Sequence, residues 1–235
     1  MRIFFDDRQA RHAPEREFHN GGWVTYAETP ARLDSILRRC GGAQAVRDFG
    51  LDPILAVHDA DYVAFLREAH ARWLAAGREG DAIGYTFPVR GRRKLPLERI
   101  DAALGAYAFD AATPIAAGTW DAAYWSAQCA LTALDDIAAG ARHAFALCRP
   151  PGHHAGRDYL GGYCYLNNAA IAAEAAAAAG RRVAILDVDY HHGNGTQDIF
   201  LHDPSVFFAS IHADPATDYP FYWGHADERG EGKGA

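Results

Sequence analysis

Short apolar runs alternate with helical segments along the second half of this chain, and this alternation limits its fold more than any other feature. Residues 144–148, 183–190 and 206–211 are predicted strands, and residues 119–139 and 167–179 are predicted helices. Strands separated by helices pair in parallel, because the crossover replaces a tight hairpin. The pattern therefore predicts an α/β fold with a parallel sheet in three layers, in which helices cover both faces of the almost continuously apolar strands.

The first half of the chain carries looser signals of the same kind. A helix is expected to begin at Pro30 with Thr29 as its N-cap, and an amphipathic helix is expected from Asp59 onward. Residues 77–96 break the pattern with glycines and a basic RGRRK run. We interpret residues 1–235 as a single domain with one inserted loop, which is either solvated or in contact with a second subunit.

Composition narrows the classes of function. The 235 residues carry a net charge of −7, which argues against general nucleic-acid binding and mildly favours cationic substrates. No apolar run is long enough to cross a bilayer, and the first residues lack a secretory signal, so we expect a cytoplasmic protein with no membrane partner. The four scattered cysteines predict reduced thiols rather than a disulfide framework.

An acidic segment rich in histidine follows the strand predicted near residue 185. Asp187, Asp189 and His191 alternate along it and therefore start from the same side of the strand. A carboxylate and an imidazole at one strand end offer the ligand types that zinc accepts at about 2.0–2.2 Å. Acids in a buried strand are costly unless they are paired or bind a metal, and a turn-capping role would explain only one of them. The segment predicts a metal site.

Two other loops carry candidate site residues. The RPPGHHA segment places His153 and His154 on a stiff loop, where they are suited to general acid–base chemistry, to metal binding or to a structural role. The GGYCYLNN segment contains Gly162, which permits close backbone approach, and Tyr163, which lines either a narrow passage or the core. From the residues alone these alternatives stay open.

Three motifs, in their order and spacing, resemble the histone deacetylase superfamily: RPPGHHA at 149–155, GYCYLNN at 162–168 and ILDVDYHHGNG at 185–195. Residues 109–120 and 219–228 are similar to its acetylpolyamine amidohydrolase branch. The resemblance implies the arginase/deacetylase-like fold and a zinc-dependent amidohydrolase that removes acetyl groups from small cationic amines, most of all acetylpolyamines. Alternatives are a protein acetyl-lysine deacetylase, a manganese-dependent arginase-like hydrolase and a non-catalytic deacetylase-like module.

The resemblance also implies roles at the metal site. Asp189 and His191 would be two of three zinc ligands. His154 would be the general base, with His153 as its neighbour. Asn194 would hold the base, although many relatives have Asp at this position, which would change the charge around the histidine pair.

Further implied roles concern a second ion and the substrate passage. Asp187 would bond the first histidine of the pair and, together with Ser210 and nearby main-chain oxygens, would surround a structural potassium ion. Gly162 and Tyr163 would line the tunnel for the acyl chain, with Phe221 as the opposite wall.

The family's third zinc ligand, a second Asp, and its carbonyl-polarising Tyr in a Gly-Gly-Tyr loop have no counterpart in the 235 residues. We therefore expect a sequence that is truncated at its C-terminus, a fold that is incomplete there, and poor activity of these residues by themselves. The resemblance further implies a homodimer formed through the loop at 78–96, which would exclude bulky protein substrates.

Overall fold

The computed structural model describes residues 1–88 and 97–234. The strands in these residues are β1 (Arg2–Phe4), β2 (Arg16–His19), β3 (Gly22–Thr25), β4 (Ala144–Ala146), β5 (Val183–Asp187) and β6 (Val206–Ser210). The helices are α1 (Ala31–Cys40), α2 (Asp52–Leu55), α3 (Ala60–Ala75), α4 (Ile100–Ala106), α5 (Thr119–Ala138), α6 (Asn168–Ala178) and α7 (Asn194–Phe200). Two short 3₁₀ turns cover Asp7–Arg11 and Gly232–Gly234.

The described strands form three separate pairs. β1 pairs with β4 and β5 pairs with β6, both in parallel, and helices lie between the paired strands in the chain. β2 and β3 form an antiparallel hairpin across Asn20 and Gly21, whose φ angles are both positive. An open groove lined by Ala144, Ile185 and Leu186 lies between β4 and β5, and no ladder joins these two strands within the described residues. The predicted α/β class with parallel pairing is confirmed.

The prediction that helices cover both faces of β5 and β6 is wrong for the described residues. Leu186 is 63% exposed and Phe207 is 69% exposed, while their neighbours Ile185 and Val206 face α6 and α7. Alternate residues of a strand point to opposite faces, so the two strands bury one face and leave the other open. A continuously apolar strand indicates that both faces can be buried but does not say what buries them.

Most predicted helix positions are confirmed. α3 follows Asp59 as its N-cap, and α5 and α6 lie within one residue of their predicted bounds. The predicted cap at Thr29 is wrong, because Pro30 already has helical angles and itself occupies the N-cap position. Residues 77–88 contain no helix, as predicted, and the basic run within 89–96 lies outside the described residues.

The core lies between α3, α5 and α6. Leu66, Leu131 and Ile171 are at most 4% exposed and belong to one cluster of buried side chains. Burial of one such side chain contributes about 1.5–3 kcal/mol. Across residues 1–88 and 97–234, the helices are all too short or too polar to traverse a membrane. All four cysteines are free thiols, as predicted.

One capping residue connects this core to the loops at the strand ends. Asn167 is the N-cap of α6, and its side-chain oxygen accepts from the N–H of Ala170 at 3.0 Å. Its amide group also donates to the carbonyl of Ala155 at 3.1 Å and to Thr196 Oγ1 at 3.0 Å. A single buried side chain therefore positions the histidine loop and the start of α7 relative to α6, beyond the roughly 1 kcal/mol that a cap contributes to a helix.

Candidate active site

The acids and the histidine predicted to follow β5 lie together in the structure. β5 ends at Asp187, whose Oδ1 accepts from the N–H of Asp189 at 3.1 Å. Asp189 Oδ1 in turn accepts from the N–H of His191 at 2.9 Å. Each carboxylate thus holds the residue two positions later in an Asx-type turn. This arrangement leaves Asp189 Oδ1 3.5 Å from His191 Nδ1, on a partly exposed surface.

A buried ion pair anchors the loop that carries the histidine pair. Arg149 is 2% exposed, and its Nε donates to Glu28 Oε1 at 2.9 Å. A second guanidinium nitrogen donates to the carbonyl of Gln9 at 3.1 Å. Breaking a buried ion pair of this kind typically costs about 3–5 kcal/mol, because it leaves a charge without a partner. The loop beyond Arg149 therefore starts from a rigid base.

His153 is bound to the carboxylate at the end of β5. Its Nδ1 lies 2.9 Å from Asp187 Oδ2, and its Nε2 lies 4.0 Å from Asp189 Oδ1. Burial opposes ionisation of Asp187, but the hydrogen bond and the charge of His153 outweigh it, so the pKa of this carboxyl is lowered. Gly193 permits the approach, because a Cβ there would lie 2.4 Å from Asp187 Oδ2. The Asp187 carboxylate is thus placed to stabilise positive charge on the imidazole.

His154 is the most buried member of the group, with 2% exposure. Its Nδ1 lies 2.7 Å from Asn194 Oδ1, and its ring centroid lies 4.0 Å from that of His153. Burial, and next the neighbouring His153, hold the pKa of His154 well below its usual value, so the ring is neutral near pH 7. On its other side the ring packs on Gly162, where a Cβ would be only 2.1 Å from Cδ2.

The structure brings the two halves of the predicted site together. The ring of His154 lies 6.1 Å from the ring of His191, and Asp187 and Asp189 contact the imidazole of His153 from the same strand end. Within residues 1–88 and 97–234 no group of three His, Cys, Asp or Glu side chains is arranged to hold a metal ion. Among the described residues, two metal-ligand candidates, Asp189 and His191, lie next to the imidazoles of His153 and His154.

Aromatic side chains lie beside the imidazoles of the site. Tyr163 is partly buried, and its hydroxyl donates to Glu17 Oε1 at 3.0 Å. The ring of Tyr219 lies edge-on to His154, with 5.0 Å between centroids. Phe221 is 47% exposed, and its ring centroid lies 6.4 Å from that of Tyr219. Tyr219 therefore packs against the imidazole of His154, and Phe221 packs against Tyr219.

Asp110 connects both sides of this pocket and was not recognised from the sequence. Its Oδ2 accepts from the N–H of Gly162 at 2.7 Å and from the hydroxyl of Tyr219 at 2.9 Å. Its Oδ1 accepts from the N–H of Ala112 at 3.1 Å, as in a local Asx turn. An acidic residue two positions before a turn is common in sequences, so no local pattern marked Asp110 as a site residue.

Ser210 lies directly across the β5–β6 ladder from Asp187. Its Oγ is 2.7 Å from His212 Nδ1, and the N–H of Ile211 donates to the carbonyl of Asp187 at 2.9 Å. Two of the residues expected to surround a second ion, Asp187 and Ser210, are therefore on adjacent strands at the same level.

Comparisons with known proteins agree with this arrangement. The family model for the histone deacetylase domain matches residues 26–235. The chain belongs to this family. Among its relatives, acetylpolyamine amidohydrolase 1 of Pseudomonas aeruginosa is 53% identical over 242 residues, which cover 100% of this chain and 70% of the relative. The acetylpolyamine amidohydrolase of Mycoplana ramosa is 48% identical over 240 residues, which cover 99% of this chain and 70% of the relative.

A solved structure supports the same family. The crystal structure of acetylpolyamine aminohydrolase from Burkholderia pseudomallei superposes with a TM-score of 0.92 at 42% identity, over 100% of this chain and 69% of that one. The predicted family and deacetylase-like fold are confirmed. As a member of the histone deacetylase family the chain is an amidohydrolase of the deacetylase type, and enzymes of this family are zinc-dependent in general.

Proposed function

We propose that this protein hydrolyses the acetyl amide of acetylpolyamines with a zinc ion held by Asp189 and His191. The observation that carries the proposal is the donor pair of these two residues beside the buried, neutral imidazole of His154. The relatives named above as acetylpolyamine amidohydrolases support the substrate class. The net charge of −7 is consistent with a cationic substrate.

The donor pair fits zinc in type and in spacing. Oxygen and nitrogen ligands at about 2.0–2.2 Å from a tetrahedral zinc ion lie about 3.4 Å apart. Asp189 Oδ1 and His191 Nδ1 are 3.5 Å apart, which is close to that spacing. When bound, zinc polarises the acetyl carbonyl and favours deprotonation of water.

His154 is the residue we assign as general base. Its Nδ1 is occupied by Asn194, which leaves Nε2 with a free lone pair. The imidazole takes a proton from the attacking water at Nε2 and then gives it to the departing amine nitrogen. His153, held by Asp187, lies next to this ring, with 4.0 Å between the two ring centroids.

The proposal also includes a potassium site, a single-domain organisation and a homodimer. Asp187 and Ser210, paired across β5 and β6, would bind potassium together with main-chain oxygens at 189, 191 and 211. Residues 1–235 would act as a single domain. We further propose a homodimer through the loop at 78–96, and a monomer in sedimentation equilibrium would contradict that part.

Glu17 gives the pocket a second polar group, suited to a cationic amine. The side chain is 3% exposed, its Oε1 accepts from Tyr163, and its Oε2 has no hydrogen-bond partner among the described residues. A buried carboxylate oxygen without a partner is costly, and an ammonium group of the substrate would supply the missing bond. Gly162 and Tyr163 would line the acyl passage, with Phe221 as the opposite wall.

The proposal is tested by comparing N-acetylputrescine and acetylspermidine with an acetyl-lysine peptide as substrates of the zinc-loaded protein. We expect acetate release from the acetylpolyamines and a loss of about 10²–10⁴-fold in kcat for His154→Ala, the usual contribution of a general base. The matched control is His143→Ala, which changes an exposed histidine just before β4 begins, at the opposite end of that strand from the histidine loop. Preferential cleavage of the peptide would favour a protein deacetylase, and unchanged turnover in His154→Ala would exclude the assigned base.

A further inference from the structure

The orientation of the Asn194 amide decides which ring nitrogen of His154 carries the proton. Its Oδ1 lies 2.7 Å from His154 Nδ1. A carboxamide has one accepting end and one donating end of nearly the same shape, so rotation by 180° exchanges them. With the oxygen toward the ring, Nδ1 carries the proton and Nε2 has the lone pair. With the NH₂ group toward the ring, the proton moves to Nε2 and the lone pair of the base is lost.

The other end of the same amide meets a tyrosine. Asn194 Nδ2 lies 3.5 Å from the hydroxyl of Tyr159, which in turn donates to Asp198 Oδ2 at 2.6 Å. Asparagine in this position is fully buried, with 0% exposure, so water does not compete for its polar atoms. The side chains of His154, Asn194, Tyr159 and Asp198 therefore form one chain of hydrogen bonds with a carboxylate at its end.

The carboxylate gives this chain a direction. A carboxylate only accepts, so the proton of Tyr159 points to Asp198, and the tyrosine oxygen presents a lone pair to Asn194. Burial, and next the charge of Asp198, raise the pKa of Tyr159, which keeps the phenol protonated at neutral pH. The group of Asn194 that faces this lone pair has to be the donor, its NH₂. The oxygen of the amide then faces His154.

The tyrosine is itself held in place by the backbone. Gly156 donates its N–H to the carbonyl of Tyr159 at 3.1 Å. The ring folds back over Gly156, where a Cβ would lie 2.3 Å from the ring atoms. Phe109 packs edge-on against the other part of the ring, at 5.6 Å between centroids. The hydroxyl therefore has little freedom to leave the line between Asn194 and Asp198.

We infer that Tyr159 and Asp198 are positioning residues that set the direction of the Asn194 amide and thereby keep His154 in the Nδ1–H form, with its Nε2 lone pair available. An Asp at 194 would need no such support, because both of its oxygens accept. With Asn at 194, the negative charge of Asp198 takes over this role, because it orients the Tyr159 hydroxyl and, through it, the Asn194 amide. The importance of this for catalysis rests on the proposed role of His154, whereas the form of the ring does not depend on it.

The test is the protonation pattern of the His154 ring, read from long-range ¹H–¹⁵N NMR spectra at pH 7.5. In the unchanged protein we expect a protonated Nδ1 and an unprotonated Nε2. In Tyr159→Phe the amide loses the partner that distinguishes its ends, so we expect about half of the rings in the Nε2–H form. Asp198→Ala is a second route to the same result. The control is Tyr124→Phe, which also removes a hydroxyl bound to a carboxylate, that of Asp48, away from the site.

Rescue separates a directing role from a merely structural one. In the Tyr159→Phe, Asn194→Asp double variant the carboxylate accepts from Nδ1 in either orientation, so the Nδ1–H form should return although the tyrosine hydroxyl is still absent. An unchanged ring in both Tyr159→Phe and Asp198→Ala, or an Nε2–H ring in the unchanged protein, would overturn the inference. If the spectra behave as expected but no acetyl amide is cleaved, the proposed function fails and the positioning role stands.

Discussion

Gly162 offers a direct measure of how closely the pocket fits His154. Its φ is +54°, and a Cβ at this position would lie 2.1 Å from His154 Cδ2. Ordinary van der Waals contact begins at 3.4 Å, so in Gly162→Ala the imidazole or the loop has to move by about 1.3 Å (3.4 minus 2.1). A misplacement of about 1 Å at a reacting group can cost about 10²-fold in rate. We expect kcat for N-acetylputrescine to fall by that order.

In Gly162→Ala the effect of backbone strain has to be separated from the effect of the contact between the new methyl group and His154. Alanine in the left-handed region costs about 1–2 kcal/mol wherever it occurs. Gly180 has a φ of +76° and open space around the position that a Cβ would occupy, with no atom within 4 Å, so Gly180→Ala carries the strain without the contact. Urea unfolding should show a loss of stability in both variants, and turnover should fall only in Gly162→Ala.

The result that refutes this reasoning is equal turnover in Gly162→Ala and Gly180→Ala. The chemical shifts of the His154 ring protons provide a second reading that does not depend on the rate. They should move in Gly162→Ala and stay in place in Gly180→Ala, because only the first substitution touches the imidazole.

Three further predictions concern substrate, metal and pH. Glu17→Gln should raise KM for acetylspermidine about tenfold, the loss of roughly 1.4 kcal/mol from one ion pair, whereas the exposed Glu15→Gln should not, and equal KM values would contradict the role of Glu17. Asp189→Ala should abolish tight zinc binding in calorimetric titration while the exposed Asp214→Ala retains it, and unchanged affinity in Asp189→Ala would count against the assigned ligand. Burial lowers the pKa of His58 from 6.5 to about 4. As the pH falls below 6.5, His58 is therefore protonated in the unfolded chain but not yet in the folded protein. Stability is therefore lost between pH 6.5 and about 4, by about 2 kcal/mol at pH 5, and a His58→Asn variant with the same slope of unfolding free energy against pH would refute this.

Local patterns were sufficient for the longer helices and for choosing candidate site residues near the strand ends. α5 and α6 follow from apolar spacing. Asp189 and His191 were proposed as a pair from strand alternation and the ligand preferences of zinc, but the strand predicted over 183–190 ends at Asp187, and Asx-type turns hold both residues beyond it. The hairpin of β2 and β3 was missed although Asn20-Gly21 is a typical type I′ turn, because each strand is only four residues long and β2 is mostly polar.

What the sequence by itself determined is therefore the longer helices, the parallel strands, the family and the candidate side chains that follow β5 and the Pro-Pro-Gly turn. Only the tertiary structure decided which side chains surround them. Glu17 meets Tyr163 across 146 positions, and Asp110 meets Tyr219 across 109. Such contacts depend on how whole elements pack, and no local periodicity or capping preference carries that information. For the same reason the packing of Tyr219 against His154 could not be predicted from the sequence.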